Sequence, residues 1–220
     1  MESERVLEAY VGEYASGKSE ISINRALELL GQGRTVTLVD LDTVEPFYTL
    51  RSLKPELVAK GLQVISFDRE DAFGLGETGA MLNPQARWAL RRSGDIVLDV
   101  GYGVYGARTL NLVEGAYESQ ELKVLAVINY SRPLTGTPDR IREYVLDLGR
   151  VDGIVANTHL GSETTVEIIE EGNNEIVHVA RELGIPVDFI AVDERFYPME
   201  VNVSGIPIKY IHRYMPAAMW

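Results

Sequence analysis

Short apolar runs alternate with stretches of helical periodicity along most of the chain. The runs are rich in β-branched residues and are mostly continuous rather than alternating, which is typical of strands buried on both faces. They predict strands over 6–11, 35–42, 63–67, 95–100, 122–130, 151–158 and 186–192.

The stretches between these runs place apolar residues three and four positions apart, which predicts helices. In the first stretch Ile21, Ala26 and Leu29 lie on one side, and Gly31 follows where a helix ends. The predicted helices cover 17–33, 55–62, 84–94, 137–149 and 164–184. The last of them contains Gly172, where it could break.

Alternating strands and helices predict a parallel sheet with right-handed crossovers. The expected fold class is therefore α/β, a three-layer α/β/α fold with a mostly parallel sheet. The length of 220 residues suits a single domain over 1–220. Residues 194–220 are rich in Pro, Tyr and Met, so we expect an irregular C-terminal extension with an edge strand over 206–212.

The composition excludes several functional classes. A net charge of −12 argues against nucleic acid as a partner, because a duplex would be repelled. The chain has no cysteine, which excludes disulfides, thiolate metal sites and thiol catalysis. No apolar run reaches about 18 residues, and the N-terminal segment lacks the apolar core of a signal peptide. We expect a cytoplasmic protein without stable membrane insertion.

Residues 12–19, GEYASGKS, carry the strongest functional signal, because they match the phosphate-loop pattern G-x-x-x-x-G-K-[ST]. Glycines let the backbone point its amides at phosphate oxygens, and the following helix adds the positive end of its dipole. Lys18 is the expected ligand of the terminal phosphates, and Ser19 is an expected ligand of Mg²⁺. The alternative is a Gly-rich turn that binds no ligand. The predicted nucleotide-contacting residues are Gly12, Glu13, Tyr14, Ala15, Ser16, Gly17, Lys18, Ser19 and Glu20.

Carboxylates lie at the ends of two predicted strands. Asp99 ends IVLD, and Asp40 and Asp42 end TLVDLD, at the edge where ligands of open parallel sheets bind. A phosphate-loop NTPase needs such acids to hold Mg²⁺ and to orient the attacking water. We therefore expect Ser19, Asp42 and Asp99 at the metal. Lys18 and Asp42 are the expected catalytic residues, although any single acid could instead cap the loop after its strand.

Residues 11–51 resemble the start of the MinD/ParA/CobQ-type phosphate-loop NTPases, the class that also includes signal recognition particle GTPases and dethiobiotin synthetase. Residues 95–103, DIVLDVGYG, are similar to the switch segment of that class. Residues 151–160, VDGIVANTHL, are similar to its strand ending in a base-contacting Asn, which is Asn157 here. The chain looks most like a group of bacterial MinD-like ATP-binding proteins. The resemblance implies ATP and Mg²⁺ as ligands and a protein partner or a homodimer.

One position departs from the family pattern. MinD and ParA proteins usually carry a second lysine directly after the first glycine of the loop, and here that residue is Glu13. In that family the lysine reaches the partner's nucleotide, so its absence places the ATP-sandwich dimer in question. Because an acid there would face phosphates, we expect Glu13 to turn toward solvent or toward a basic residue such as Arg108 or Arg132.

The expected base is adenine. Related GTPases use an N-K-x-D element whose Asp pairs with guanine. Residues 157–160, NTHL, keep the Asn and lack the Lys and the Asp. Residues 191–196 follow the last strand, and they either close over the base or form an ordinary surface loop.

Three further segments lie near the predicted site. Arg51 either contacts phosphate or substrate, or forms an ion pair with a carboxylate. Residues 101–106, GYGVYG, are either a switch loop that senses the γ-phosphate or a tight turn. Residues 73–79 are a Gly-rich connection that could lie over the site.

Three functions remain open on the sequence alone. The first is an ATPase switch acting on a protein partner. The second is a small-molecule kinase or ligase of the dethiobiotin synthetase and CobQ type, which would need a defined acceptor pocket beside the γ-phosphate. The third is a nucleotide-binding module without turnover.

Overall fold

A parallel β-sheet forms the centre of the fold. The computed structural model describes residues 4–42, 50–66, 82–199, 201–203 and 205–215, and within these ranges the sheet has eight strands, all paired in parallel. Their order is β3-β2-β4-β1-β5-β6-β7-β8, which confirms the predicted α/β class. The strands are β1 Leu7–Gly12, β2 Val36–Leu41, β3 Gln63–Ile65, β4 Asp95–Val100, β5 Leu122–Ile128, β6 Gly153–Ala156, β7 Val187–Asp193 and β8 Ile208–Ile211.

Helices pack on both faces of this sheet and make three layers. One apolar cluster joins Ala9 and Val11 of β1 to the helices α4 (Pro138–Leu148) and α5 (Val166–Leu183), and a second joins Tyr10 to α1 (Lys18–Gly31) and α2 (Lys54–Ala59). Successive side chains of a strand point to opposite faces, so the continuous apolar runs fill both clusters. The α-helices are α1 Lys18–Gly31, α2 Lys54–Ala59, α3 Gly103–Ala107, α4 Pro138–Leu148 and α5 Val166–Leu183.

Two of the helical segments differ from the prediction. The helix expected over 84–94 is a 3-10 helix, Pro84–Arg91, whose buried Ala86 and Ala89 are three residues apart, as the 3-10 repeat requires. The helix α3 forms where a switch loop or a tight turn was expected. Further 3-10 helices cover Leu50–Leu53, Arg108–Leu112, Gly161–Glu163 and Glu194–Phe196.

Gly172 does not break α5, which continues through it over 18 residues. A Cβ atom at this position would lie 2.5 Å from Thr158 Cγ2 and 2.8 Å from Tyr130 Cβ. The glycine therefore allows α5 to pack closely on the loops after β5 and β6, both of which border the candidate site.

The C-terminal segment adds to the sheet. Strand β8 pairs with β7 at the edge, inside the predicted 206–212. Beyond it, the amides of Tyr214 and Met215 donate to the Glu20 carboxylate of α1 at 2.8 and 2.7 Å. The described part of this segment is therefore tied to the main body. The Gly-rich connection 73–79 lies outside the described residues, and none of the described helices is long and apolar enough to cross a bilayer.

Candidate functional site

The phosphate-loop sequence forms a tight turn between β1, which ends at Gly12, and α1, which begins at Lys18. Gly17 has a φ of 94° and Ala15 a φ of 55°, so the backbone passes twice through the left-handed region. A Cβ atom at Gly12 would lie 2.5 Å from the Val127 carbonyl oxygen. Both glycines of the motif are therefore required by the path of the chain.

The amides at the start of α1 have no acceptor in the backbone. Within the described residues, the N–H groups of Gly17, Lys18, Ser19 and Glu20 donate no backbone hydrogen bond, and the first bond of the helix runs from Ile21 N to Gly17 O at 3.0 Å. Such N–H groups, together with the positive end of the helix dipole, form an anion-binding site. The loop geometry thus fits a phosphate group.

Lys18 extends from the loop into the interior of the site. Its side chain is buried, and Nζ donates to the Glu13 carbonyl at 3.1 Å. Burial lowers the pKa of Lys18, while the carboxylates of Asp99 and Asp42 act in the opposite direction. The structure therefore brings the two predicted catalytic residues and the predicted metal ligand Asp99 into one electrostatic environment.

Asp99 presents a buried carboxylate beside the loop. It is 1% exposed, and within the described chain neither of its oxygens has a hydrogen-bond partner of normal geometry. Burial raises the pKa of Asp99 well above its usual range, and the Ser19 hydroxyl and Lys18 oppose this rise. A buried carboxylate without partners is costly, and a bound cation removes that cost. This observation fits a Mg²⁺ ion between Ser19 and Asp99.

The donor set also limits the kind of metal site. Among the described residues no group of three or more His, Asp or Glu side chains is placed to enclose a metal ion. Mg²⁺ is commonly held by one or two carboxylates together with substrate phosphates and water. The residues fit an ion that arrives with a polyphosphate, rather than one held in an all-protein cage.

Asp40 and Asp42 have different surroundings. The Asp40 carboxylate is ion-paired with Arg51 at 2.8 Å and accepts a hydrogen bond from Asp42 N at 2.9 Å. Burial raises the pKa of Asp40 to about 6, and Arg51 opposes this rise. Asp42 Oδ1 faces Gly101, where a Cβ atom would lie 3.4 Å away. Of the two alternatives for Arg51, the structure therefore shows the ion pair with a carboxylate, and that carboxylate is Asp40. Asp42 instead faces the segment that follows β4.

Glu13 is buried rather than turned to solvent, which corrects that part of the prediction. Its carboxylate accepts a hydrogen bond from Leu134 N at 2.9 Å and lies 3.0 Å from the Thr135 hydroxyl oxygen. It is 5% exposed. The loop after β5 supplies an amide and a hydroxyl to this acid, and the sequence pattern did not reveal them. Arg108, one of the two expected partners, instead lies 5.1 Å from the centre of the Tyr105 ring.

Asn157 braces the phosphate loop from the end of β6. Its Nδ2 donates to the Ser16 carbonyl at 2.8 Å, and this amide lies directly against Gly17. Beside it is a pocket lined by Gly17, Asn157, Thr158, His159, Ala191, Asp193 and Arg213 among others. Asn157 therefore lies between the phosphate loop and this pocket.

His159 lines the pocket and was not among the site residues predicted from the sequence. Burial lowers the pKa of His159 to about 3, so the imidazole is neutral at physiological pH. Its position two residues after Asn157, on the loop that follows a buried strand, is the signal that could have indicated a place in the pocket.

The end of β7 forms the other wall of this pocket, so 191–193 belong to the strand rather than to a loop after it. Closure of 191–196 over a base stays a prediction. Asp193 accepts a hydrogen bond from Arg195 N at 3.0 Å, and its other oxygen lies 3.9 Å from Arg213 Nη1. Glu20 also lines the pocket, but its carboxylate is engaged by the tail amides described above. The side chain of Glu20, one of the predicted contact residues, therefore forms part of the pocket wall and is not available to a phosphate.

Tyr14 links the phosphate loop to the segment after β4. Its ring meets that of Tyr102 edge to face, with centroids 5.2 Å apart. Tyr102 precedes α3, whose Tyr105 is 82% exposed. The loop and α3 are thus in direct contact next to Asp99.

Comparison with known proteins finds solved structures with a similar fold. No family model matches the chain, and no curated protein matches it. Among solved structures it is similar to the cell division protein FtsY of Thermotoga maritima, with 20% identity and a TM-score of 0.56. It is also similar to the signal recognition particle receptor FtsY of Elizabethkingia anophelis, with 14% identity and a TM-score of 0.58. A third structure, FlhF complexed with GTP/Mg(2+), has 13% identity and a TM-score of 0.53.

These similarities extend over most of this chain and less of the others. They cover 88%, 91% and 97% of this chain, and 64%, 63% and 72% of the three structures in turn. The chain thus spans less than two thirds of the length of the two FtsY structures. At these identities the likeness is one of fold, and the chain has the α/β fold of phosphate-loop NTPases of the FtsY and FlhF type.

Proposed function

We propose that this protein binds a nucleoside triphosphate with Mg²⁺ and hydrolyses it slowly, as a switch that acts on a protein partner. The observation that carries the proposal is the junction of β1 and α1. There, among the described residues, backbone amides without a backbone acceptor and the buried Lys18 lie beside the Asp99 carboxylate, which has no hydrogen-bond partner of normal geometry. Anionic phosphates and a cation are together the ligand that would complete this arrangement.

In this proposal each residue has a defined role. The loop amides and Lys18 hold the phosphates, Ser19 and Asp99 hold Mg²⁺, and Asp42 orients the attacking water. The ion, when bound, neutralises charge on the phosphate oxygens. The contribution of the chain to catalysis is then mainly electrostatic, because these groups are already in place before the substrate binds.

We further propose that the base is adenine. The carboxylate that guanine recognition uses in an N-K-x-D element would fall at position 160, which is Leu160. Two carboxylates line the pocket and both are engaged: Asp193 accepts from Arg195 N and lies near Arg213, and Glu20 accepts from the amides of Tyr214 and Met215. The resemblance of residues 11–51 to MinD-like proteins also supports ATP. Against it, the similar structure of FlhF is a complex with GTP, and FtsY of Elizabethkingia anophelis is also known in complex with GDP.

The switch role is supported by the contact between the loop and α3. Tyr14 of the loop touches Tyr102, and the exposed Tyr105 lies one turn further on. A phosphate bound at the loop can therefore change the position of an exposed aromatic side chain. A protein partner or a second copy of the chain is the proposed reader of that change.

A small-molecule kinase or ligase is the second candidate, and one feature favours it. An open groove lies beside Tyr102, lined also by Tyr105, Leu134, Glu143 and Tyr144. It adjoins the segment that follows Asp99, where the acceptor of a transferred phosphoryl group would have to bind.

Phosphate release separates the candidates. The switch proposal predicts slow ATP hydrolysis that does not depend on a small acceptor and that increases with a partner. Release of ADP only when small acids are added would support the kinase or ligase instead. Nucleotide binding without any phosphate release would leave a binding module.

A further inference from the structure

Arg132 carries a guanidinium group that the described part of the chain does not pair. Its Nε and Nη2 atoms are buried and have no hydrogen-bond partner there. Arg51, also largely buried, pairs with Asp40 at 2.8 Å, and Arg25 pairs with Glu8 at 2.9 Å. Because buried donors are nearly always satisfied, the isolated nitrogens of Arg132 indicate a partner that the described residues do not supply.

The surroundings of Arg132 locate that partner at the candidate site. Its charge interacts with Glu13 and Tyr14 of the phosphate loop. It also acts on His159 in the base pocket, where it helps to keep the pKa of that imidazole low. Arg132 therefore lies between the loop and the pocket, along the path that joins phosphates to a base.

Glu13 does not neutralise Arg132 by hydrogen bonding, because its carboxylate is used elsewhere. It accepts from Leu134 N and lies against the Thr135 hydroxyl. These contacts fix the segment that carries Arg132, together with the backbone bonds from Arg132 N to Asn129 O and from Thr135 N to Arg132 O, both 3.1 Å. The backbone of Arg132 is thus held on both sides while its side chain keeps unpaired donors.

We propose that Arg132 binds the phosphate chain of the nucleotide within the same subunit, and that Glu13 is a positioning residue that holds the segment of Arg132 against the loop. The inference rests on the proposed nucleotide binding. A guanidinium matches phosphate oxygens with paired N–H groups, so it adds a second cation to Lys18. The acid at position 13 then supports phosphate binding indirectly.

The test compares Arg132→Gln with Arg132→Lys and with the control Arg140→Gln. Arg140 lies on the neighbouring helix, is exposed, and donates to the Pro133 carbonyl at 2.8 Å. Calorimetric titration with Mg·ATP and with Mg·GTP should show a dissociation constant raised about 10- to 100-fold in Arg132→Gln, since a charged hydrogen bond is lost. Arg132→Lys should recover part of the affinity, and Arg140→Gln should stay within about twofold of the wild type.

Thermal unfolding without nucleotide separates phosphate binding from a structural role. Arg132→Gln removes a half-buried charge whose Nε and Nη2 have no hydrogen-bond partner among the described residues, so its midpoint should equal or exceed that of the wild type. A lowered midpoint, equal in Arg132→Lys, would indicate a structural role and overturn the inference. An unchanged dissociation constant for Mg·ATP and Mg·GTP in Arg132→Gln would also overturn the inference. Absence of nucleotide binding in the wild type would instead overturn the proposed function itself.

Discussion

The two ends of the candidate site differ in how their buried polar groups are satisfied. At the phosphate end the Asp99 carboxylate, the Ser16 hydroxyl and two nitrogens of Arg132 have no hydrogen-bond partner in the described chain. At the base end Asn157 donates to the Ser16 carbonyl and Asp193 accepts from Arg195 N. Unsatisfied buried groups are rare in folded proteins, because each one destabilises the fold.

This difference indicates where binding free energy comes from. In the proposed function a charged ligand completes the phosphate end, so phosphates and Mg²⁺ should dominate affinity. At the base end Asn157 and Asp193 are already hydrogen-bonded within the protein, so this end should contribute mainly apolar contact. The following substitutions test this contrast, beginning with the one expected to have the largest effect.

Lys18→Ala should weaken binding of Mg·ATP and Mg·GTP by at least about 100-fold, because it removes the buried cation of the loop. Calorimetric titration measures the loss, and circular dichroism checks that the fold is intact. Lys209→Ala is a matched control, since Lys209 lies at the far edge of the sheet and pairs with Glu28. Equal affinity for nucleotide in the Lys18 and Lys209 variants would show that Lys18 does not bind the phosphates.

Asp99→Asn and Asp40→Asn compare two buried acids that are neighbours in the register of β2 and β4. Asp40→Asn breaks the ion pair with Arg51 but also removes a carboxylate whose pKa burial raises, so the two effects oppose each other in the free energy of unfolding. Asp99→Asn should leave the free energy of unfolding unchanged or raise it, because the carboxylate has no hydrogen-bond partner of normal geometry among the described residues. Only Asp99→Asn should raise, by at least about tenfold, the Mg²⁺ concentration that supports nucleotide binding.

Chemical unfolding and a Mg²⁺ titration of both variants measure these effects. A large loss of stability in Asp99→Asn would show that this carboxylate has a structural partner after all.

The pH dependence of the free energy of unfolding should also reveal the raised pKa of Asp99. Its pKa in the folded state lies above the unfolded value, so the native state holds the proton over a wider pH range. Its stabilising contribution is complete below about pH 4 and is lost as pH rises through the folded-state pKa. The pKa of Asp40 is also raised, to about 6, so its stabilising contribution is lost in the same way as pH rises through about 6.

The free energy of unfolding of the nucleotide-free wild type should therefore fall relative to Asp99→Asn as pH rises above about 4. Urea unfolding of the two proteins across this range measures the difference. If the free energies of unfolding of the two proteins changed in parallel with pH, the pKa of Asp99 would be the same in the folded and unfolded states. The argument that Mg²⁺ relieves the burial of this carboxylate would then be lost.

Asn157→Ala should have the smallest effect. Losing the bond to the Ser16 carbonyl costs about 1 kcal/mol, which corresponds to roughly a fivefold weaker dissociation constant for ATP. GTP should weaken by a similar factor, since the main loss is support of the loop. Competition between the two nucleotides checks this, and a selective loss of ATP binding would show that Asn157 reads the base directly.

Much of the fold and of the phosphate end could be predicted from local sequence. The continuous apolar runs predict buried parallel strands because helices cover both faces, and the motif at 12–19 requires the turn that forms at Gly12 and Gly17. The positions of Lys18, Asp42 and Asp99 follow from the rule that ligands bind at the carboxyl ends of parallel strands.

What could not be predicted depends on contacts between distant segments. The burial of Glu13 depends on Leu134 and Thr135, more than 120 residues away, and no local pattern reports that contact. The place of Glu20 depends on the tail amides in the same way. The 3-10 helix at 84–91 and the unbroken α5 reflect close packing that propensity alone does not indicate.

Calorimetry of the wild type with Mg·ATP, Mg·GTP and the corresponding diphosphates tests the proposed role of the β1–α1 junction. Saturable binding that weakens when Mg²⁺ is removed, and that is lost in Lys18→Ala, is the expected result. The absence of heat with every one of these nucleotides at millimolar Mg²⁺ would contradict the account, because the junction would then bind no polyphosphate.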